Sequence, residues 1–387
     1  MLNIGVVIGQ VAGGGAWTAC GGGESDAKPT GSWRKAPPSP LSPREHAFGI
    51  WTGRETLVIA GSDGPPCAPG ASCRAQTTPP LRDGAAFNPR TRSWRRIADA
   101  PVGFDFAEGA VVGGTVFIAT PGNDSRPGSP SAVLAYRVDR DRWRRLPSPP
   151  NPRHNYTLVA AGNRLVAYSR GDGHRDPPGY VLRRGGRSWR ALPADPLLPT
   201  HAQSMAWTGR ELVLFHSAYV GRSGAEPPLA RAAALDLSTR RWRRLPDSDT
   251  VFYGPYWVRV GSRLINPALG DGDEEYRWGR PRGGILEFET GVWSDLPNPP
   301  ASGPFEFGTG VLTKARGHYF SPGGWVFDTA GDRWIEIRRL DGDRSGAGGR
   351  SVSPAGRSLL LFGGYRFDSK HPEGKLLDAA WTWTPPR

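Results

Sequence analysis

Apolar positions along the chain fall in short runs parted by Gly, Pro and polar turns, and the runs recur in one order. A representative unit reads Ala206-Trp207-Thr208-Gly209-Arg210-Glu211-Leu212-Val213-Leu214-Phe215, which is a short strand, a Gly turn and an aliphatic strand. A variable loop follows, then a third strand (Ala233-Ala234-Leu235-Asp236-Leu237), a polar turn (Ser238-Thr239-Arg240) and a strand led by Trp242. Trp51-Thr52-Gly53-Arg54-Glu55 repeats the first turn almost letter for letter. The pattern predicts units of four antiparallel strands. Third strands are expected near residues 84–88, 132–138, 179–183, 232–237, 283–288, 324–328 and 379–383.

The fourth strand of each unit carries the clearest marker. Trp33, Trp94, Trp143, Trp189, Trp242, Trp293 and Trp334 lead similar tails, such as Trp143-Arg144-Arg145-Leu146-Pro147 and Trp242-Arg243-Arg244-Leu245-Pro246. A spacing of about 50 residues with strand-like content signals a propeller of four-stranded blades. One Trp per period at the start of an outer strand is what packing between neighbouring blades requires. Trp33 precedes any third strand, whereas the last third strand (Ala379-Ala380-Trp381-Thr382-Trp383) has no Trp strand after it. The expected resolution is that the Trp33 strand completes the C-terminal blade and removes the free edge. The fold class predicted is all-β: a seven-bladed β-propeller over residues 31–387, monomeric, preceded by a leader and Gly-rich tether over residues 1–30.

Phe362-Gly363-Gly364 ends one second strand with paired glycines, and Ile59-Ala60-Gly61-Ser62 approaches the same pattern. With the period, these residues resemble kelch repeats, as in the central domain of galactose oxidase-like proteins, and the likeness spans nearly all of residues 31–387. That resemblance implies a propeller and leaves several activities to weigh. A copper-radical oxidase would need a Cys–Tyr crosslink, and the three cysteines are assigned elsewhere. Sialidase-type Ser-x-Asp-x-Gly-x-x-Trp turns are missing. Sugar mutarotases of the sialic acid epimerase kind, which use Glu and Arg at the propeller mouth, remain the alternative to a non-catalytic binding module.

Composition adds the address. Residues 1–19 are weakly apolar, and Thr18-Ala19-Cys20 followed by Gly21-Gly22-Gly23 resembles the end of a bacterial lipoprotein signal, with Cys20 as the lipidated residue. A disordered leader with an incidental Cys is the other reading. Cys67 and Cys73 share one Pro/Gly loop, which fits a local disulfide and an oxidising compartment. The expected location is extracytoplasmic, lipid-anchored or secreted, touching the membrane only through that anchor. The net charge of +13 comes from 49 basic residues, all but five of them Arg, scattered in short clusters. Such a skew suits a GC-rich genome and a general attraction to anionic surfaces. No nucleic-acid partner is expected.

In such meanders the loops leading into each first strand share a face with the loops between second and third strands, and the variable segments all fall there. The candidate ligand-binding residues are therefore Arg44, His46, Asp105, Glu108, His154, His201, Tyr253, Glu306 and Arg350. Arg, carboxylate, His and Tyr groups around one opening suit a sugar or another polyol, and the partner classes are a glycan, a peptide or a protein at the cell envelope. A wet, merely polar mouth would look the same. No catalytic residue is assigned, and no cofactor or metal is expected. Gly53, Gly113 and Gly209 should lie at the opposite end.

Overall fold

The computed structural model describes residues 31–67, 78–121, 132–150, 156–169, 178–197, 200–218, 229–249, 257–266, 284–295, 311–312, 318–321, 325–328, 333–336, 340 and 348–385. Among them every extended element is a β-strand and there is no α-helix. β1 (Ser32–Lys35) is followed by a sheet of β2 to β5 (Phe48–Trp51, Thr56–Ile59, Gly84–Asn88, Ser93–Ile97). Next come β6 to β9 (Glu108–Val112, Thr115–Thr120, Ala132–Arg137, Arg142–Leu146) and β10 to β13 (Tyr156–Ala161, Arg164–Ser169, Tyr180–Leu182, Trp189–Ala191). β14 to β17 (Thr200–Trp207, Leu212–Ala218, Ala230–Asp236, Arg241–Arg244) and β18 to β21 (Val258–Val260, Arg263–Asn266, Gly284–Glu287, Val292–Ser294) repeat the meander. So do β22 to β25 (Val311–Leu312, His318–Ser321, Trp325–Asp328, Arg333–Glu336). The last sheet orders β26 (Ser351–Ala355), β27 (Ser358–Phe362), β30 (Ala380–Thr384) and then β1. β28 (Tyr365–Asp368) and β29 (His371–Leu376) form a separate hairpin inside what the sequence pattern treats as a plain loop over 363–378.

The described strands thus form repeated four-stranded antiparallel sheets, consistent with a propeller. β1 pairs with β30 through Trp33↔Trp383 and Lys35↔Trp381, so the two ends of the chain share one sheet. First strands of successive sheets pack beside one another: β26 meets β2, β2 meets β6, β6 meets β10, β10 meets β14 and β14 meets β18. Crowding there selects small residues. A Cβ on Gly109 would strike the Phe48 ring and one on Gly49 would strike the Ser353 and Ser351 hydroxyls, so the strands could not approach as they do.

The Trp repeat has a structural explanation. Five of these indole N–H groups cross to the preceding sheet, each donating to a carbonyl four residues beyond that sheet's own Trp. Trp94 Nε1 donates to Pro37 O (3.0 Å), Trp143 to Ala98 O (2.8 Å), Trp189 to Pro147 O (2.8 Å), Trp242 to Pro193 O (3.2 Å) and Trp293 to Pro246 O (2.8 Å). The same rings pack on buried neighbours, as Trp143 does on Tyr136 (4.8 Å between centroids) and Trp94 on Phe87 (5.0 Å). In four of the turns before an outer strand the residue two before Trp has positive φ: Arg92 (55°), Asp141 (49°), Arg240 (60°) and Gly291 (77°). This is a turn that ends in a left-handed residue before the last strand, the geometry that favours Gly. Where it is not Gly the side chain bonds to the sheet before. Arg92 Nη2 donates to Lys35 O (2.7 Å), Arg240 Nη2 donates to Ala191 O (3.0 Å), and Asp141 accepts from Ala98 N (2.8 Å).

One buried ionisable pair sits between sheets. His216 on β15 places Nε2 2.7 Å from Asp195 Oδ2, with both side chains almost fully buried, and Asp195 also accepts from Leu197 N at 2.7 Å.

Candidate functional site

Hydrogen bonds join the described loops that lead into first strands, which gathers them at one end, and the tight Gly turns close the other end of the same strands. Three lead-in loops are described at the first end: residues 36–47 before β2, 98–107 before β6 and 348–350 before β26. They are bonded together. His46 N donates to Gly349 O (2.7 Å), Glu45 and Ser62 exchange backbone bonds at 2.9 Å, and Gly348 and Tyr365 exchange bonds at 3.1 and 2.9 Å. The 98–107 loop is fixed by Gly61 N donating to Phe104 O (2.8 Å) and by the fully buried Phe104 ring against Phe48.

Four of the residues expected at the opening are described together with their side chains near this cluster of loops. His46 stacks on Phe106 with 3.9 Å between ring centroids and an interplanar angle of 31°. Both residues adopt left-handed backbone (φ 53° and 50°), a conformation that costs a non-Gly residue about 1 kcal/mol or more. Phe106 is nevertheless 63% exposed, while Phe104 two residues earlier is buried. His46 Nδ1 lies 3.6 Å from Glu45 Oε2, and the Glu45 side chain is nearly buried. Asp105 is buried beside Phe106, and Glu108 and Arg350 are half-buried at the starts of β6 and β26.

Arg44 has a different place. Its guanidinium is fully buried and spans the loop: Nη1 donates to Asp83 Oδ1 (2.6 Å) and Ala60 O (3.2 Å), Nη2 to Asp83 Oδ2 (3.0 Å) and Ser42 Oγ (2.8 Å), and Nε to Ser42 O (3.0 Å). Its backbone accepts from Gly364 N and donates to Leu377 O. With the donors engaged in this way, Arg44 anchors the loop that carries Glu45 and His46. This placement corrects its assignment as a ligand contact: a guanidinium this buried must be satisfied internally, and Asp83 supplies the counter-charge.

His201 lies on β14. His154, Tyr253, Glu306, Cys20 and Cys73 lie outside the described residues. Cys67 is disulfide-bonded. Gly53, Gly113 and Gly209 fall in turns between first and second strands, at the end away from the lead-in loops. Sequence reasoning missed Phe106 and Glu45; the available signal was an aromatic residue between Asp105 and Glu108 in an otherwise polar loop.

Among the described residues no group of three or more His, Cys, Asp or Glu is placed to hold a metal ion, and no helix is long and apolar enough to cross a membrane. No family model matches the chain, and no curated protein matches it. Among solved structures the chain is similar to one described as "Structure of YjhT", with a TM-score of 0.44 and 12% identity over 90% of this chain and 97% of that one.

Proposed function

We propose that the chain is a seven-bladed, kelch-like β-propeller whose ring is closed by β1 on β30, and that it acts as a non-catalytic binding module at the cell envelope. The pairing of Trp33 with Trp383 and the Trp bridges from sheet to sheet support the closed ring. The disulfide at Cys67 supports an oxidising compartment, with Cys20 as the point of lipid attachment.

The observation that carries the binding reading is the His46–Phe106 pair. Two adjacent lead-in loops, which also carry Glu45, Asp105 and Glu108, hold non-Gly residues in left-handed backbone while the Phe106 ring stands in solvent. Strain and exposed apolar surface held by a rigid scaffold are what a ligand platform requires. A flat, exposed aromatic face suits the C–H face of a sugar ring, so a glycan is the ligand class. The test is a glycan and cell-wall-fragment array on the purified protein, repeated with Phe106→Ala and His46→Ala. Each substitution should weaken the bound glycan about tenfold while leaving the melting temperature nearly unchanged, because neither side chain is core. An array without hits, or hits untouched by Phe106→Ala, refutes this reading.

A further inference from the structure

At the end opposite the lead-in loops, a cleft of about 590 Å³ opens across the turns of three successive sheets. Six arginines line it: Arg144, Arg164, Arg183, Arg184, Arg190 and Arg240. All but Arg240 are exposed, and Arg240 is half-buried. No acidic side chain lines the cleft, and among the described residues none of the six makes an ion pair. Elsewhere arginines are neutralised locally, as in Arg44–Asp83, Arg95–Glu55, Arg137–Asp139, Arg243–Glu211 and Arg366–Asp368.

The strand registers show how the imbalance arises. In the β2–β5 sheet, Thr56 aligns through Phe87 with Trp94, and Glu55 just before it reaches diagonally to Arg95 just after that Trp, pairing at 2.7 Å. In the β14–β17 sheet, Leu212 aligns through Leu235 with Trp242, and Glu211 pairs with Arg243 at 2.9 Å. Carrying the same register through β10–β13 aligns Leu165 with Trp189 and puts Arg164 in the Glu position, diagonal to Arg190. In β6–β9, Val116 aligns through Tyr136 with Trp143, which puts Thr115 in the Glu position and leaves Arg144 without its carboxylate. The cleft spans two adjacent sheets in which this carboxylate is replaced.

The fold also holds these cations in place. Arg164 Nη1 donates to Leu237 O (2.8 Å) and Arg240 Nη2 to Ala191 O (3.0 Å), the latter from a left-handed residue at a position where the β18–β21 sheet uses Gly291. Gly186 lies under Arg144, where a Cβ would come within 2.8 Å of its Nη2, and a Cβ on Gly185 would meet only open space. The Arg240 guanidinium holds its proton less tightly than usual, first through desolvation and then through the Arg190 charge. Uncompensated like charges around one concavity repel, and a bound anion relieves the repulsion.

We infer that this cleft binds a compact polyanion, a small scaffold bearing several phosphate or sulfate groups. Guanidinium forks match such oxyanions in bidentate geometry. The volume suits a small ligand, and Phe117 alone among the lining residues is aromatic, which offers no stacking track for a nucleic-acid strand. The inference does not depend on the glycan reading of the opposite end.

The experiment is isothermal titration of the full chain with inositol hexakisphosphate and with sucrose octasulfate, which separate phosphate from sulfate recognition. Inorganic phosphate, a short DNA duplex and phosphatidylglycerol vesicles are run beside them. At least one polyanion should bind one to one, more weakly as salt rises. Arg164→Glu and Thr115→Glu restore the pairing already present at Glu211–Arg243, so both should fold, and each should weaken binding about tenfold or more. Arg54→Glu, an exposed turn residue outside the cleft, makes the same change in net charge as Arg164→Glu and should leave affinity unchanged. The inference is overturned if neither polyanion binds, if Arg54→Glu weakens binding as much as Arg164→Glu, or if duplex or vesicles bind more tightly than both polyanions.

Discussion

Shortening the chain from its N-terminal side tests whether β1 is integral to the last sheet. The comparison is between a chain beginning at residue 31 and one beginning at residue 38. The shorter form loses the four-residue pairing of β1 with β30, the Ala36 N bond to Ala380 O (2.8 Å) and the Thr382 Oγ1 bond to Arg34 O (3.2 Å). It also removes the acceptors of Arg92 (Lys35 O, 2.7 Å) and of the Trp94 indole (Pro37 O, 3.0 Å), and so unfastens the β2–β5 sheet from its neighbour. Trp33 packing beside Trp383 goes with them. At about 1 kcal/mol net per hydrogen bond, with less for the exposed Arg92 contact, the loss is ~5 kcal/mol or more, a large part of a typical domain's total. In urea this should lower the midpoint by about 2 M and leave β30 as an open edge prone to strand addition. A synthetic peptide covering residues 31–38 should recover part of the shift. Identical midpoints for the two chains would refute the argument that the N-terminal strand fastens the fold.

The Trp bridges give a graded prediction: Trp143→Phe, which keeps the ring packing but orphans Ala98 O, should cost about 1–2 kcal/mol, and Trp143→Ala about 3–5, both read by chemical denaturation. Arg44→Met should cost about 3–5 kcal/mol because Asp83 loses its buried counter-charge, and a loss below about 1 would return Arg44 to the ligand contacts. Gly49→Ala should cost about 1–3 kcal/mol in the same assay, since the new methyl group would press on the Ser351 and Ser353 side chains of β26. Asp236 is held down to about 2, first by the Ser238 hydroxyl and then by the backbone N–H groups of Ser238 and Thr239. A depressed folded-state value means that its contribution is present above the unfolded value of 3.8 and fades as pH falls toward 2. An NMR titration of Asp236 with a midpoint near 4 would contradict this.

Much of the architecture was legible in the chain because strand signals are local. The third strands expected near 84–88, 132–138 and 324–328 appear as Gly84–Asn88, Ala132–Arg137 and Trp325–Asp328, since a buried strand must be a short apolar run ended by a turn. Partnership of the chain ends followed from strand order alone, and Trp33 does face Trp383. The charge inversion at Arg164 was also open to view in the repeat, where Thr-Gly-Arg-Glu at 52–55 and 208–211 gives way to Ala-Gly-Asn-Arg at 161–164.

Local pattern determines which end of a sheet a loop occupies, but not the direction in which its side chains turn. Arg44 and His46 are two residues apart in one loop, yet one is fully buried against Asp83 and the other stacks at the surface on Phe106. Asp83 is 39 residues away and Phe106 is in the next lead-in loop, so neither partnership has a sequence spacing to announce it. Phe104 and Phe106 are equivalent as sequence, and only the packing of Phe104 against Phe48 decides that Phe106 is the ring left in solvent. The sequence by itself therefore determined the strands of the repeat, their order and the end at which the lead-in loops gather, because these depend on period and turn chemistry, but not the β28–β29 hairpin. The tertiary structure alone decided which polar groups are consumed in holding those loops and which remain to meet a ligand, because burial and counter-charge come from residues distant along the chain.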